Sequence, residues 1–171
     1  MRKIALVYGA ILAGVISVIT IGPLVAMGFS SEQMEAGEVL GYVSMVLACL
    51  SVFFGILSYR NKHLGGNIKF GKAFVTGLCI SLVGGLGFGL VSWLYYGVLA
   101  PDFLQAYYDY SIEAIEQSGK EAALVKAQIA EMQANKAIYL SPLVGGLTMF
   151  ATVFPIGAVV ALVSALILKK P

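Results

Sequence analysis

The feature that most constrains this chain is an apolar stretch from Phe74 to Leu99 that contains no charged residue. Its 26 residues exceed the roughly 20 that an α-helix needs to cross the hydrocarbon core of a bilayer. Inside a bilayer, backbone N–H and C=O groups must find partners within the chain, and a helix provides them for every residue. The stretch therefore predicts a transmembrane helix. Its closing aromatic residues, Trp93, Tyr95 and Tyr96, predict an aromatic belt at the membrane interface.

Three more stretches have the same character, so the chain is predicted to be a polytopic membrane protein. The composition agrees, since 59% of the residues are hydrophobic and 12% are charged, against about 45–50% and about 25% in soluble domains. The first of these stretches along the chain, at about residues 4–29, is longer than the core of a signal peptide, which has about 7–15 residues. We therefore interpret it as a retained membrane helix. We predict an all-α fold with a single membrane domain over residues 1–171, spans at about residues 4–29, 39–57, 74–99 and 143–168, and a short polar turn at 30–38.

The one long polar connection, residues 100–142, joins the third and fourth spans. Within it, residues 102–139 predict a helical hairpin outside the bilayer, because apolar residues recur at helical spacing on either side of a break at 118–121. We expect capping boxes at the two helix starts, formed by Asp102 with Gln105 and by Ser118 with Glu121.

The first helix of this hairpin carries an apolar stripe, which we expect to be shielded from water by another surface. Three alternatives stay open: a lid on the end of its own bundle, a docking face for a protein partner, and contact with the lipid interface. Aromatic anchors within a polar rim are typical of docking surfaces. The candidate residues for the lid or partner surface are Phe103, Tyr107, Tyr108 and Ile112.

The distribution of charge predicts the orientation. The two termini and the segment between the second and third spans carry eight Lys and Arg residues and no acid. The other connections carry all nine acids and three lysines. Basic segments beside spans stay in the cytoplasm. We therefore expect both termini in the cytoplasm and an extracytoplasmic hairpin, which is periplasmic if the membrane is a bacterial inner membrane.

The basic segment between the second and third spans is the candidate site for anionic lipid headgroups. A base near a charged membrane surface contributes about 1 kcal/mol. Ile68 and Phe70 alternate with polar residues there, which predicts a short apolar edge in the headgroup layer. We expect the bilayer and its anionic lipids as partners and no nucleic acid, because topology and lipid already explain these charges. The candidate residues are Arg60, Lys62, Lys69 and Lys72.

Small residues recur at every fourth position of the third span. This spacing places them on one face of a helix, where a neighbouring backbone can approach closely. We predict that this face packs against another helix. The residues are Gly77, Ser81, Gly85 and Gly89.

No catalytic residue, metal site or cofactor is predicted. The single histidine, His63, lies in the basic segment without an acid nearby, and Cys49 and Cys79 lie inside apolar stretches. No acid lies within a span, so an intramembrane aspartate pair and an ion-coupling group are both missing. We expect a protein that is not an enzyme, a structural or accessory protein that engages a protein partner or lipid. The alternative is a small-solute transporter or channel acting as a homo-oligomer.

The segment before the third span also carries a specific pattern of residues. YRNK at 59–62, GG at 65–66 and IKFGKAF at 68–74, together with PDF at 101–103, resemble the bacterial DUF4199 family, a domain of unknown function. The resemblance covers nearly the whole chain. It implies a small bacterial inner-membrane protein built as a four-helix bundle. It implies no activity and no catalytic residues.

Overall fold

The structure is a computed structural model that describes residues 1–27 and 31–170, without the side chains of residues 26–27, 31–38 and 40. The described chain is almost entirely helical, and the only pairing of extended backbone recorded in it is a single bridge between two residues. The helices are α1 (Arg2–Met27), α2 (Ser31–His63), α3 (Phe70–Leu94), α4 (Phe103–Glu116), α5 (Ala122–Ala134), α6 (Lys136–Tyr139) and α7 (Pro142–Leu168).

Within the described part of the chain, four helices are long and apolar enough to cross a membrane, which confirms the predicted all-α fold with four candidate spans. The apolar segments of these helices are Arg2–Val25, Gly41–His63, Phe70–Leu99 and Pro142–Leu168.

Helix α2 is longer at both ends than the apolar stretch that predicted it. The predicted polar turn at 30–38 is helical from Ser31 onward, while residues 28–30 lie outside the described residues. At its other end α2 continues to His63, so the connection to α3 is short. Glu, Gln, Lys and Arg are good helix formers, so a helix need not stop where its apolar residues stop.

Helix α3 is the centre of the bundle. It packs most extensively against α7 and then against α1, while α2 packs against α1 and less extensively against α7 and α3. The four long helices alternate in direction. The start of α1, the end of α2, the start of α3 and the end of α7 therefore lie at the same end of the bundle. The core between them is built from fully buried aliphatic side chains: Leu12, Ile16, Val52, Ile56, Ile80 and Val153.

The contact between α3 and α7 depends on small residues. A Cβ atom placed on Gly77 would lie 2.5 Å from the Cβ of Ala161, and one placed on Gly89 would lie 2.7 Å from the carbonyl oxygen of Gly146. The backbones themselves are therefore in contact at these points. All four of the predicted small residues are buried on the face of α3 that meets α7: Gly77, Ser81, Gly85 and Gly89.

Helix α3 ends in a π-helical turn, Tyr95–Leu99, which contains two of its three closing aromatic residues. A π-helical turn holds an extra residue, so it changes which side chains face the core. Tyr95 and Tyr96 are buried, and only Trp93 of the three remains exposed. The predicted aromatic belt is therefore wrong for the two tyrosines, which lie inside the protein.

The connection after α3 forms the expected helical hairpin, α4 and α5, with its break at the predicted residues. Gly119 in this break has a φ of 66°, a left-handed conformation that favours glycine. Both predicted capping boxes are wrong, because neither helix start has a hydrogen bond from a capping side chain. Gln105 instead donates to the carboxylate of Asp109 at 2.8 Å, and the hydroxyl of Ser118 donates backward to the carbonyl oxygen of Ile115 at 2.7 Å.

Candidate functional site

The candidate site is the end of the bundle where α1 begins, α2 ends, α3 begins and α7 ends; we call it the basic end. It gathers eight positively charged residues, and no acidic residue occurs in these four segments of the sequence. The eight are Arg2, Lys3, Arg60, Lys62, Lys69, Lys72, Lys169 and Lys170.

Two glycines turn the chain between α2 and α3. Gly65 and Gly66 have φ values of 63° and 92°, which side chains rarely tolerate. The N–H of Gly66 donates to the carbonyl oxygen of Arg60 at 3.0 Å and so closes the end of α2. The turn leaves the following residues extended, and they run alongside the C-terminal end of the chain.

A pair of backbone hydrogen bonds joins this extended segment to the C-terminus. The N–H of Ile68 donates to the carbonyl oxygen of Lys170 at 3.1 Å, and the N–H of Lys170 donates to the carbonyl oxygen of Ile68 at 2.9 Å. The side chain of Ile68 is only 2% exposed and belongs to the core. The prediction that Ile68 dips into the headgroup layer is therefore wrong, because the bridge turns it inward. Phe70 stays partly exposed and stacks on Phe74, with ring centroids 5.9 Å apart.

Arg60 is tied to the protein more closely than the other predicted lipid ligands. Its Nη1 donates to the carbonyl oxygen of Leu168 at 3.3 Å, and its Nε donates to Oδ1 of Asn61 at 3.0 Å. The guanidinium therefore caps the last turn of α7, where unsatisfied carbonyl groups favour a cation. Lys62, by contrast, is exposed at the end of α2.

An open cavity of about 540 Å³ lies where the α2–α3 connection meets the C-terminal end of the chain. It brings together two predicted residues, Lys69 and Lys72, with Lys170, which the sequence singled out only as an orientation signal. Arg60 and Lys62 do not line it. We call it the lysine cavity; its lining is Leu64, Asn67, Ile68, Lys69, Gly71, Lys72 and Lys170.

The chemistry available in the lysine cavity is the binding of anions. Each lysine ammonium offers three N–H donors and a full positive charge. Among the described residues, no Asp or Glu side chain belongs to the lining.

At the opposite end of the bundle, the predicted stripe on α4 covers the ends of the spans with its first residues. The ring of Phe103 stacks on Tyr96 with centroids 5.4 Å apart and meets Tyr95 edge-on at 5.7 Å. Tyr108 is 4% exposed, and Nζ of Lys136 lies 5.3 Å from the centre of its ring. The start of α4 is therefore packed against the bundle.

The rest of the hairpin is less well covered. Tyr107 is 39% exposed and stacks on Phe103, and Ile112 is half-buried. No described residue of α5 is buried. The predicted surface is thus divided between a packed part and a more exposed part.

The family model for a protein of unknown function (DUF4199) matches residues 7–170. The chain belongs to the DUF4199 family. The match confirms the resemblance found in the sequence, and it extends over all four spans, the hairpin and the lysine cavity. No curated protein and no solved structure matches the chain. A function for this DUF4199 protein is therefore argued from its own geometry.

Proposed function

We propose that this DUF4199 protein is a non-enzymatic accessory protein of the bacterial inner membrane that holds anionic lipid headgroups at its basic end. The observation that carries the proposal is the collection of eight bases, without an acid, at one end of a four-helix membrane bundle. The cytoplasmic leaflet is negatively charged and attracts basic residues beside spans by about 1 kcal/mol each.

The same charges support the orientation with both termini in the cytoplasm. The hairpin and the start of α2 lie at the other end and contain all nine acids and three lysines. This asymmetry follows the rule that Lys and Arg beside spans remain in the cytoplasm. The hairpin then faces the periplasm.

Three of the hydroxyl groups buried in the spans support an accessory protein over a small-solute transporter. The hydroxyl groups of Ser44, Thr76 and Ser81 each donate to a carbonyl oxygen of their own helix, at 2.7 to 2.9 Å. They are thereby engaged inside the helices that carry them. An ion-coupled carrier also needs an ionisable group near the middle of a span, and the stretches 4–29, 39–57, 74–99 and 143–168 contain no charged residue.

A protein partner at the hairpin is the second candidate. It is favoured by the exposed side chain of Tyr107 and by the lack of any buried residue among the described residues of α5. Phe103 and Tyr108 support the lid instead, because both are packed against the protein itself. The hairpin thus acts first as a lid on the bundle. The surface left for a protein partner is formed by Tyr107 and Ile112.

The test compares two variants with equal loss of charge at opposite ends of the bundle. In the first, Lys62, Lys69 and Lys72 are changed to Gln; Arg60 is kept because it bonds to Leu168. In the second, the three lysines of the hairpin are changed to Gln: Lys120, Lys126 and Lys136.

Anionic phospholipid that co-purifies in mild detergent is measured by mass spectrometry. We expect the first variant to lose most of it and the second to resemble the wild type. Equal retention in both variants would refute lipid binding at the basic end.

A further inference from the structure

The lysine cavity is an open groove within the basic end, and most of the surface that lines it is apolar. Its volume of about 540 Å³ falls within the roughly 300–1,000 Å³ of ligand pockets in proteins. It is bounded by the α2–α3 connection on one side and by the C-terminal end of the chain on the other. The backbone pairing of Ile68 with Lys170 holds these two segments together.

Three lysines from separate parts of the chain are among the residues that line this cavity. Lys69 precedes α3, Lys72 lies in its first turn, and Lys170 follows α7. The bridge at Ile68 and Lys170 fixes the backbone beside two of them, so their convergence is part of the fold. Like charges that share a cavity repel one another, and a bound anion removes this cost.

The lining also provides neutral donors for an anion. Asn67 contributes a side-chain amide. The first turn of α3 adds backbone N–H groups, because N–H groups at a helix start have no partner inside the helix and the N-cap residue, Lys69, has no side-chain acceptor for them. A helix start favours negative charge. Here it reinforces a site that the cavity and its lysines define.

We propose that the lysine cavity binds one phosphate group, supplied by the headgroup of an anionic phospholipid. The inference rests on the proposed function and goes beyond it. The proposed function is a general attraction between the basic end and anionic headgroups, whereas the inference assigns one headgroup to one cavity. The membrane supplies the ligand because the apolar span begins at Phe70, beside the cavity. The partly exposed ring of Phe70 and the side chain of Leu64 offer apolar surface to the glycerol and acyl part of the lipid.

The test compares two sets of lysines at the same end of the bundle. The cavity variant changes Lys69, Lys72 and Lys170 to Gln. The control changes the three lysines of the basic end that do not line the cavity, Lys3, Lys62 and Lys169. Each variant loses three positive charges, so the two have equal net charge, and all six side chains are exposed, so we expect both variants to fold.

Binding of short-chain phosphatidylglycerol to the protein in neutral detergent is measured by native mass spectrometry, with phosphatidylcholine as the uncharged comparison. Each lysine near the phosphate contributes about five-fold, so we expect a loss on the order of 100-fold in the cavity variant. The control should lose less than about five-fold, because none of its three lysines lines the cavity that would hold the phosphate.

Equal losses in the two variants would overturn the single site and leave the proposed function standing. A wild-type protein that does not prefer phosphatidylglycerol over phosphatidylcholine would overturn both. Inorganic phosphate is titrated in a second arm. Binding of inorganic phosphate as tight as that of phosphatidylglycerol would refute the lipid as its source.

A pair of nearly isosteric changes provides an independent measurement. Asn67→Asp places a negative charge in the lining, whereas Asn61→Asp places one at the same end outside the cavity, beside Nε of Arg60. We expect the first change to weaken binding of phosphatidylglycerol at least five-fold more than the second. Equal effects would contradict the site.

Discussion

The contact between α3 and α7 at Gly89 gives the sharpest prediction about stability. A Cβ atom on Gly89 would lie 2.7 Å from the carbonyl oxygen of Gly146, and a Cβ atom on Gly146 would lie 2.7 Å from the carbonyl oxygen of Gly89. The obstructing atoms belong to backbone, so no side chain can rotate away to make room. Gly89→Ala must therefore push the two helices apart.

The magnitude follows from two opposing effects. Inserting a methyl group into a packed interface costs about 1–3 kcal/mol, while replacing Gly by Ala inside a helix gains about 0.8–1 kcal/mol. The matched control is Gly14→Ala in α1, where nothing lies within 4 Å of the added Cβ atom. The helix gain is common to both variants, so their difference, about 2 kcal/mol, measures the clash.

The assay is thermal unfolding in mild detergent, followed by circular dichroism. A free-energy change of 1 kcal/mol moves the midpoint of a chain of this size by about 2–4 °C. We expect Gly89→Ala to unfold about 4–8 °C below Gly14→Ala. Equal midpoints would refute the backbone contact between α3 and α7.

Two further predictions use the same assay. Tyr108→Ala should cost about 3 kcal/mol, because the ring is buried, whereas Tyr107→Ala should cost less than about 1 kcal/mol; equal losses would contradict the division of the hairpin surface. Arg60→Gln should cost about 1 kcal/mol more than Arg2→Gln, because it removes the charged hydrogen bond to the carbonyl oxygen of Leu168. A matching effect of the two arginine changes would show that this bond does not stabilise the end of α7.

The number of spans and the packing of α3 could be predicted because each depends on a local pattern. Hydropathy over about 20 residues detects a span, and the spacing of four between Gly77 and Ser81 reports a helix face directly. The ends of α2 could not be predicted in this way. Hydropathy marks the part of a helix inside the bilayer, and α2 continues beyond it to His63.

The parts of the site that escaped prediction depend on tertiary structure. Lys170 joins Lys69 and Lys72 only because one pair of backbone hydrogen bonds links the C-terminus to Ile68. A single bridge between distant residues leaves no periodicity in the sequence. Tyr96 was misplaced for a similar reason, since it is buried by tertiary packing in which the ring of Phe103, at the start of α4, stacks on it.

The central claim is that the basic end lies at the negatively charged cytoplasmic leaflet. It is tested most directly by single cysteines introduced at Asn67, in the lining of the lysine cavity, and at Gln117, in the hairpin. Both positions are exposed, and the native Cys49 and Cys79 lie within the spans, where a charged reagent does not reach them. In intact spheroplasts treated with an impermeant thiol reagent, the account predicts labelling at position 117 and labelling at position 67 only after permeabilisation. Labelling at position 67 in intact spheroplasts, with position 117 protected, would contradict it.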